Sequence, residues 1–80
     1  MPKVKKIKPL TGYCLEVELE DGSQGILSLE SELLGPIFEP LKEQGFFNQA
    51  AVDEFGIICW PNGADLAPEW VFDQVHGIKA

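Results

Sequence analysis

The stretch Tyr13-Cys14-Leu15-Glu16-Val17-Glu18-Leu19-Glu20-Asp21-Gly22-Ser23-Gln24-Gly25-Ile26-Leu27-Ser28-Leu29 decides the fold. Its first half alternates strictly. Tyr13, Leu15, Val17 and Leu19 fall on one face of a strand, and Cys14, Glu16, Glu18 and Glu20 on the other. Asp21-Gly22 then signals a hairpin turn. A two-residue loop at Asp21-Gly22 would set Leu27 opposite Glu16, on the wet face. A three-residue loop, Glu20-Asp21-Gly22 with Gly22 left-handed, sets Leu27 opposite Leu15 and Leu29 opposite Tyr13. Burying those pairs favours the second loop by several kcal/mol.

Working outward, Lys3 to Lys8 reads as a Lys-rich strand ended by Pro9, which lacks the N–H a ladder needs. Beyond the hairpin, residues 28–34 leave the sheet and Gly35-Pro36 punctuates the chain. Ile37, Phe38 and Leu41 have the spacing of a short helix with one buried stripe, which Pro40 and Gly45 keep to one or two turns. Residues 51–60 predict a second hairpin bent at Gly56, and Pro61-Asn62-Gly63 a tight turn. Pro68 begins the last helix, with Glu69 at its positive end. Trp70, Val71, Phe72 and Val75 form its apolar side, and Gly77 is its left-handed cap. The expected order is β-β-β-α-β-β-α. Five strands in a mainly antiparallel sheet with the helices on one face make a two-layer α+β fold, in a single domain spanning residues 1–80.

The chain has 80 residues and a net charge of −7, from six lysines, no arginine and thirteen acids. Lys3, Lys5, Lys6 and Lys8 cluster in residues 1–9 without an acid, so the remainder is strongly acidic. Such a body repels phosphates and has no guanidinium to clamp them, which makes nucleic acid an unfavoured partner. The Lys cluster reads as a solvated, charged edge strand. No apolar run is long enough to cross a membrane, and no apolar core follows the N-terminal lysines as in a signal peptide. The expected location is the cytoplasm. Cys14 and Cys59 are isolated and read as free thiols. A domain this small buries only about 60% of its unfolded surface, so a partner or a homodimer contact would help it.

The run Trp60-Pro61-Asn62-Gly63-Ala64-Asp65-Leu66, leading into a Pro-led helix, resembles the bacterial domain-of-unknown-function family numbered 2442. Lys8-Pro9-Leu10, Leu19-Glu20-Asp21-Gly22, Gly35-Pro36-Ile37-Phe38-Glu39-Pro40-Leu41 and Val52-Asp53-Glu54 agree with it. The resemblance spans nearly the whole chain and implies the same α+β topology. It supplies no activity, catalytic residue or cofactor. It also implies a place in two-gene cassettes of toxin–antitoxin type. The resemblance further implies that some relatives carry a helix-turn-helix after this domain, an extension not expected from the residues after Gly77.

Two groups of residues are candidates for partner binding. In the first, Asn62 and Asp65 converge beside Trp60, with Trp70 as a second aromatic anchor. The bland reading makes Asn62-Gly63 a turn and has Asp65 bond the backbone N–H groups opening the last helix, with Ala67 as its formal cap. In the second, Glu16, Glu18 and Glu20 stand about 7 Å apart on one strand face, parallel rather than convergent, which suits a basic protein better than a cation. His76 has only Asp73 near it in sequence, and that acid is expected to be exposed. Neither cysteine has the cationic setting of a nucleophile. The expectation is a non-enzymatic, acidic protein-interaction module without a cofactor, acting as the accessory or antitoxin-like member of a gene pair with a basic, nearby-encoded partner. The alternative is a small-ligand-binding or DNA-associated regulatory domain.

Overall fold

The computed structural model describes residues 2–77. Three strands form one antiparallel sheet in the order β1-β2-β3: β1 is Val4–Leu10, β2 Cys14–Leu19 and β3 Gln24–Ser28. Leu15 pairs with Leu27 and Glu16 with Ile26. The Leu19 N–H donates to the Ser23 carbonyl and the Leu29 N–H to that of Tyr13, so the loop is Glu20-Asp21-Gly22. Gly22 adopts φ +89°, which closes this three-residue loop at no steric cost. The apolar face of β2 is the centre of the core: Leu15, Val17 and Leu19 are buried together with Leu27 and Leu29. Each such side chain contributes about 1.5–3 kcal/mol relative to exposure.

Three expectations are corrected. Pro9 does not end β1; it lies within the strand opposite Leu15. The Glu20 N–H donates to the Lys3 carbonyl, so the even-numbered residues of β2 bond to β1. Pro9 faces an odd-numbered residue, and its missing N–H lies on the outer side of an edge strand, where the ladder loses nothing. Tyr13 shares the buried side of the hairpin but not the strand: its φ is +60°, in the turn from β1 to β2. Its hydroxyl donates to the Lys42 carbonyl and its ring packs edge-on against Phe47 at 5.6 Å, contacts that hold the unfavourable backbone angle.

The five strands also divide into two sheets. Ala51–Val52 (β4) and Ile58–Cys59 (β5) pair with each other and with no strand of the main sheet. Their turn is built by Asp53, whose carboxylate accepts the N–H groups of Phe55 (2.8 Å) and Ile57 (3.0 Å). The Gly56 carbonyl accepts the Val4 N–H, joining this hairpin to the main sheet. Between the sheets run two 3-10 turns, Glu30–Glu32 and Glu39–Lys42, then the short helix α1, Gln44–Phe47. They bury Leu33, Leu41 and Phe47. The Glu43 carboxylate caps α1 through the Phe46 N–H at 2.7 Å, as expected of an acceptor before a first turn. Helix α2, Pro68–Val75, starts at Pro68 after an extended Ala67 (ψ 128°) that gives no side-chain cap. Gly77, at φ +71°, follows its C-terminus.

A Cβ on Gly56 would lie 2.4 Å from Lys3 Cβ, and φ there is +77°; Gly63 has φ +91° with nothing within 4 Å. Gly63→Ala should cost only the left-handed strain, about 1–2 kcal/mol. Gly56→Ala should cost more, about 2–4 kcal/mol, because the start of β1 must also move. Urea titrations of both variants check this; equal losses would mean that the Gly56–Lys3 approach is unimportant.

Candidate functional site

The Trp60–Asp65 loop is held from three directions. The Trp60 N–H donates to the Ala64 carbonyl and the Gly63 N–H to that of Trp60, closing a tight turn. The Asn62 side chain accepts the Ala64 N–H at 3.2 Å and donates to the Ile37 carbonyl at 2.8 Å. Residues after the turn run back along β5, with Asp65 bridging to Cys59 and the Leu66 N–H donating to Ile58. Asn62 therefore joins the loop to the Gly35–Leu41 segment, using its amide once as donor and once as acceptor.

Trp60 is not an exposed anchor. It is 3% accessible, its ring tilts against Phe47 at 5.8 Å, and its indole N–H donates to the Phe47 carbonyl at 2.9 Å. The expected exposed pair Trp60–Trp70 does not form. Among the described residues the large exposed hydrophobics are instead Ile26, Leu34, Ile37 and Phe55. Asp65 also departs from the bracing role. Its carboxylate forms no hydrogen bond or ion pair among the described residues, and the N-cap of α2 is unbonded by any side chain. Asp65 instead faces outward beside Trp70. With Glu32, Phe38, Leu66 and Ala67 these residues line a shallow cleft of about 190 Å³. The structure thus brings together Asp65 and Trp70, and adds Phe38 and Glu32 from a distant segment.

The glutamate row has a different setting from the one its sequence suggests. Glu20 is in the hairpin loop, as the expected three-residue turn requires, and so drops out of the strand-face row. Glu16 and Glu18 stand in the ladder opposite Lys8 and Lys6. Lys6 Nζ lies 3.5 Å and Lys5 Nζ 3.8 Å from Glu18, the latter helped by a register irregularity between Val4 and Lys6. The lysine strand lies directly against the acidic one, so this face is charge-mixed. The same glutamates weaken any phosphate attraction of the lysines.

One cluster was invisible in the sequence. His76, after α2, lies 3.2 Å from the Ser23 hydroxyl and 3.5 Å from an Asp21 oxygen in the β2–β3 loop, and its ring stacks on Phe72 at 4.3 Å. Asp21, not Asp73, is its acid. Serine and aspartate meet the same ring nitrogen, Nε2, whereas a hydrolytic relay needs them on opposite nitrogens. The group is a clasp between the hairpin loop and the helix end. Bonds from the Ser23 N–H and hydroxyl, then the neighbouring His76, hold the Asp21 carboxyl below its ordinary value of 3.8. Cys14 and Cys59 are both free thiols. No helix among the described residues is long and apolar enough to cross a membrane.

The family model of a protein of unknown function, DUF2442, matches residues 4–77, and the chain belongs to that family. No curated protein and no solved structure matches it significantly.

Two outcomes are expected from these contacts. Trp60→Phe should destabilise the fold by about 1–3 kcal/mol in denaturant titrations, because a buried hydrogen bond is lost and the smaller ring packs the core less well, although the Phe47 carbonyl keeps the Ala50 N–H as a donor. Asp21 has a lowered folded value, so its stabilisation is present above the unfolded value and lost as pH falls through the folded one. The stability gap between the native protein and Asp21→Asn should therefore close below about pH 4. A gap that stays constant from neutral pH into acid would exclude the role given to Asp21.

Proposed function

We propose that this DUF2442 member is a non-enzymatic protein-interaction module whose partner presents a basic side chain to the Asp65–Trp70 cleft. The carrying observation is the cleft itself. Two aromatic residues, Phe38 and Trp70, and two acidic residues, Glu32 and Asp65, line one concavity. Aromatic faces and carboxylates both attract a lysine or arginine head group, and an aromatic wall also holds its apolar stem.

The distribution of charge supports the same side of the molecule. In residues 1–29, Lys3, Lys5, Lys6 and Lys8 are balanced by Glu16, Glu18, Glu20 and Asp21, so the net charge of −7 belongs to residues 30–80. The turns and helix that carry the cleft belong to this acidic part of the chain, whose field would attract a basic partner. The sheet face, with Glu18 against two lysines, offers much less. A shallow, open cleft suits a side chain of a macromolecule better than a cofactor. An accessory or antitoxin-like role, with a partner encoded beside this gene, accords with these features.

Co-expression with the neighbouring reading frame, followed by affinity capture and sizing, tests the reading. A stoichiometric complex is expected, weakened by added salt. Trp70→Ala should reduce its affinity by about 30-fold, a typical loss for an aromatic anchor. Asp65→Asn with Glu32→Gln should flatten the salt dependence, while Glu16→Gln should leave it unchanged. Binding that ignores all three cleft substitutions would place the interface elsewhere.

A further inference from the structure

The two edges of the main sheet are built differently. The β1 edge carries Lys3, Lys5, Lys6 and Lys8 in or beside the strand, Pro9 inside it and a register irregularity between Val4 and Lys6. Charge, proline and irregular register are the devices that keep an edge from pairing. The opposite edge, β3, has none of them. Its sequence is Gln24-Gly25-Ile26-Leu27-Ser28, five residues without a charge in a chain where 24% of residues are charged.

The ladder fixes which groups of β3 face outward. Leu19 bonds to Ser23 and Tyr13 to Leu29, so the odd-numbered residues of β3 exchange hydrogen bonds with β2. The N–H and C=O groups of Gln24, Ile26 and Ser28 therefore point away from the sheet. None of them has a backbone partner among the described residues, and all three residues are exposed. Helix α2 covers β3 from the core side, where Val75 closes on Gly25, and leaves the edge open. Ile26, on the outer face, is 63% exposed.

We propose that β3 pairs antiparallel with β3 of a second copy of this chain, on a two-fold axis at Ile26. The strand is self-complementary in that arrangement. Ile26 meets its own counterpart, and Gln24 meets Ser28 of the other copy in both directions. These are the hydrogen-bonded pairs of such a ladder, so all three outward N–H groups gain acceptors at once. The exposed Ile26 side chains cover each other, and no like charges oppose. A second copy is favoured over a basic partner because an uncharged edge gives a basic chain no electrostatic purchase. This surface is distinct from the Asp65–Trp70 cleft and does not depend on it.

Hydrogen–deuterium exchange across a protein concentration series, with sedimentation in parallel, tests the proposal on the full chain. The dimer fraction should rise with concentration, and the Gln24, Ile26 and Ser28 amides should become protected together with it. Ile26→Lys, at a solvent-exposed position, should weaken self-association at least about tenfold by opposing like charges. Its unfolding midpoint, read at a dilution where the native chain is monomeric, should match that of the native chain. A monomer at every concentration overturns the proposal. So does a dimer that Ile26→Lys leaves intact, or protection of these amides only when a different protein is added.

Discussion

The left-handed turn at Gly22 sets which residues of the main hairpin are dry. With Gly22 at φ +89°, Leu19 pairs with Ser23 and Leu15 faces Leu27. A slip of one residue would carry Leu27 to the solvent face while Leu15, Val17 and Leu19 stayed inside without it. Everything else packs against the surface that this register creates. Phe47 reaches it through Tyr13, Trp60 through Phe47, and α2 through the close contact of Val75 with Gly25. In so small a domain few alternative contacts could compensate for losing this one.

The second organising contact is the indole of Trp60 on the Phe47 carbonyl. It ties the loop at residues 60–65 to α1, while Asn62 ties the same loop to Ile37. Two stretches far apart in the chain, Trp60–Leu66 and Gly35–Leu41, are thus physically joined. Their remaining backbone bonds lie mostly within each stretch. What the joint leaves over is specific: Asp65 emerges with its carboxylate unbonded among the described residues, in a cleft that Trp70, Phe38 and Glu32 also line. The loop is scaffolding, and the cleft is what the scaffold presents.

The parts of this arrangement that are local were legible in the sequence. Alternation and Gly22 gave the hairpin register, Pro68 and Gly77 the limits of α2, and the Val52–Gly56 region its turn. The parts that were not legible depend on where distant segments meet. Nothing in residues 13–20 indicates that lysines will lie alongside Glu16 and Glu18, because the charge pattern of one strand carries no information about its neighbour. His76 and Asp21 are 55 positions apart, and only the packing of α2 on β3 brings them together. Trp60 has the composition of a contact residue, yet its N–H finds a carbonyl inside, and an indole with a buried partner belongs to the core. The cleft needed Glu32 and Phe38, which carry no local signal of any site.

The division of charge gives the two sides of the molecule different capabilities. The sheet balances its own charges: Lys5 and Lys6 lie on Glu18, and the β3 edge has no charge at all. Recognition there must rest on backbone hydrogen bonds and apolar contact, which select for shape and register and respond little to salt. Residues 30–80, which include the turns and α2, carry the whole net charge, so recognition there is long-ranged, sensitive to ionic strength and selective for sign. A chain of 80 residues can therefore hold two separable contacts without a second core, because opposite physical terms govern them. Conditions that strengthen one, such as high salt for the apolar edge, weaken the other.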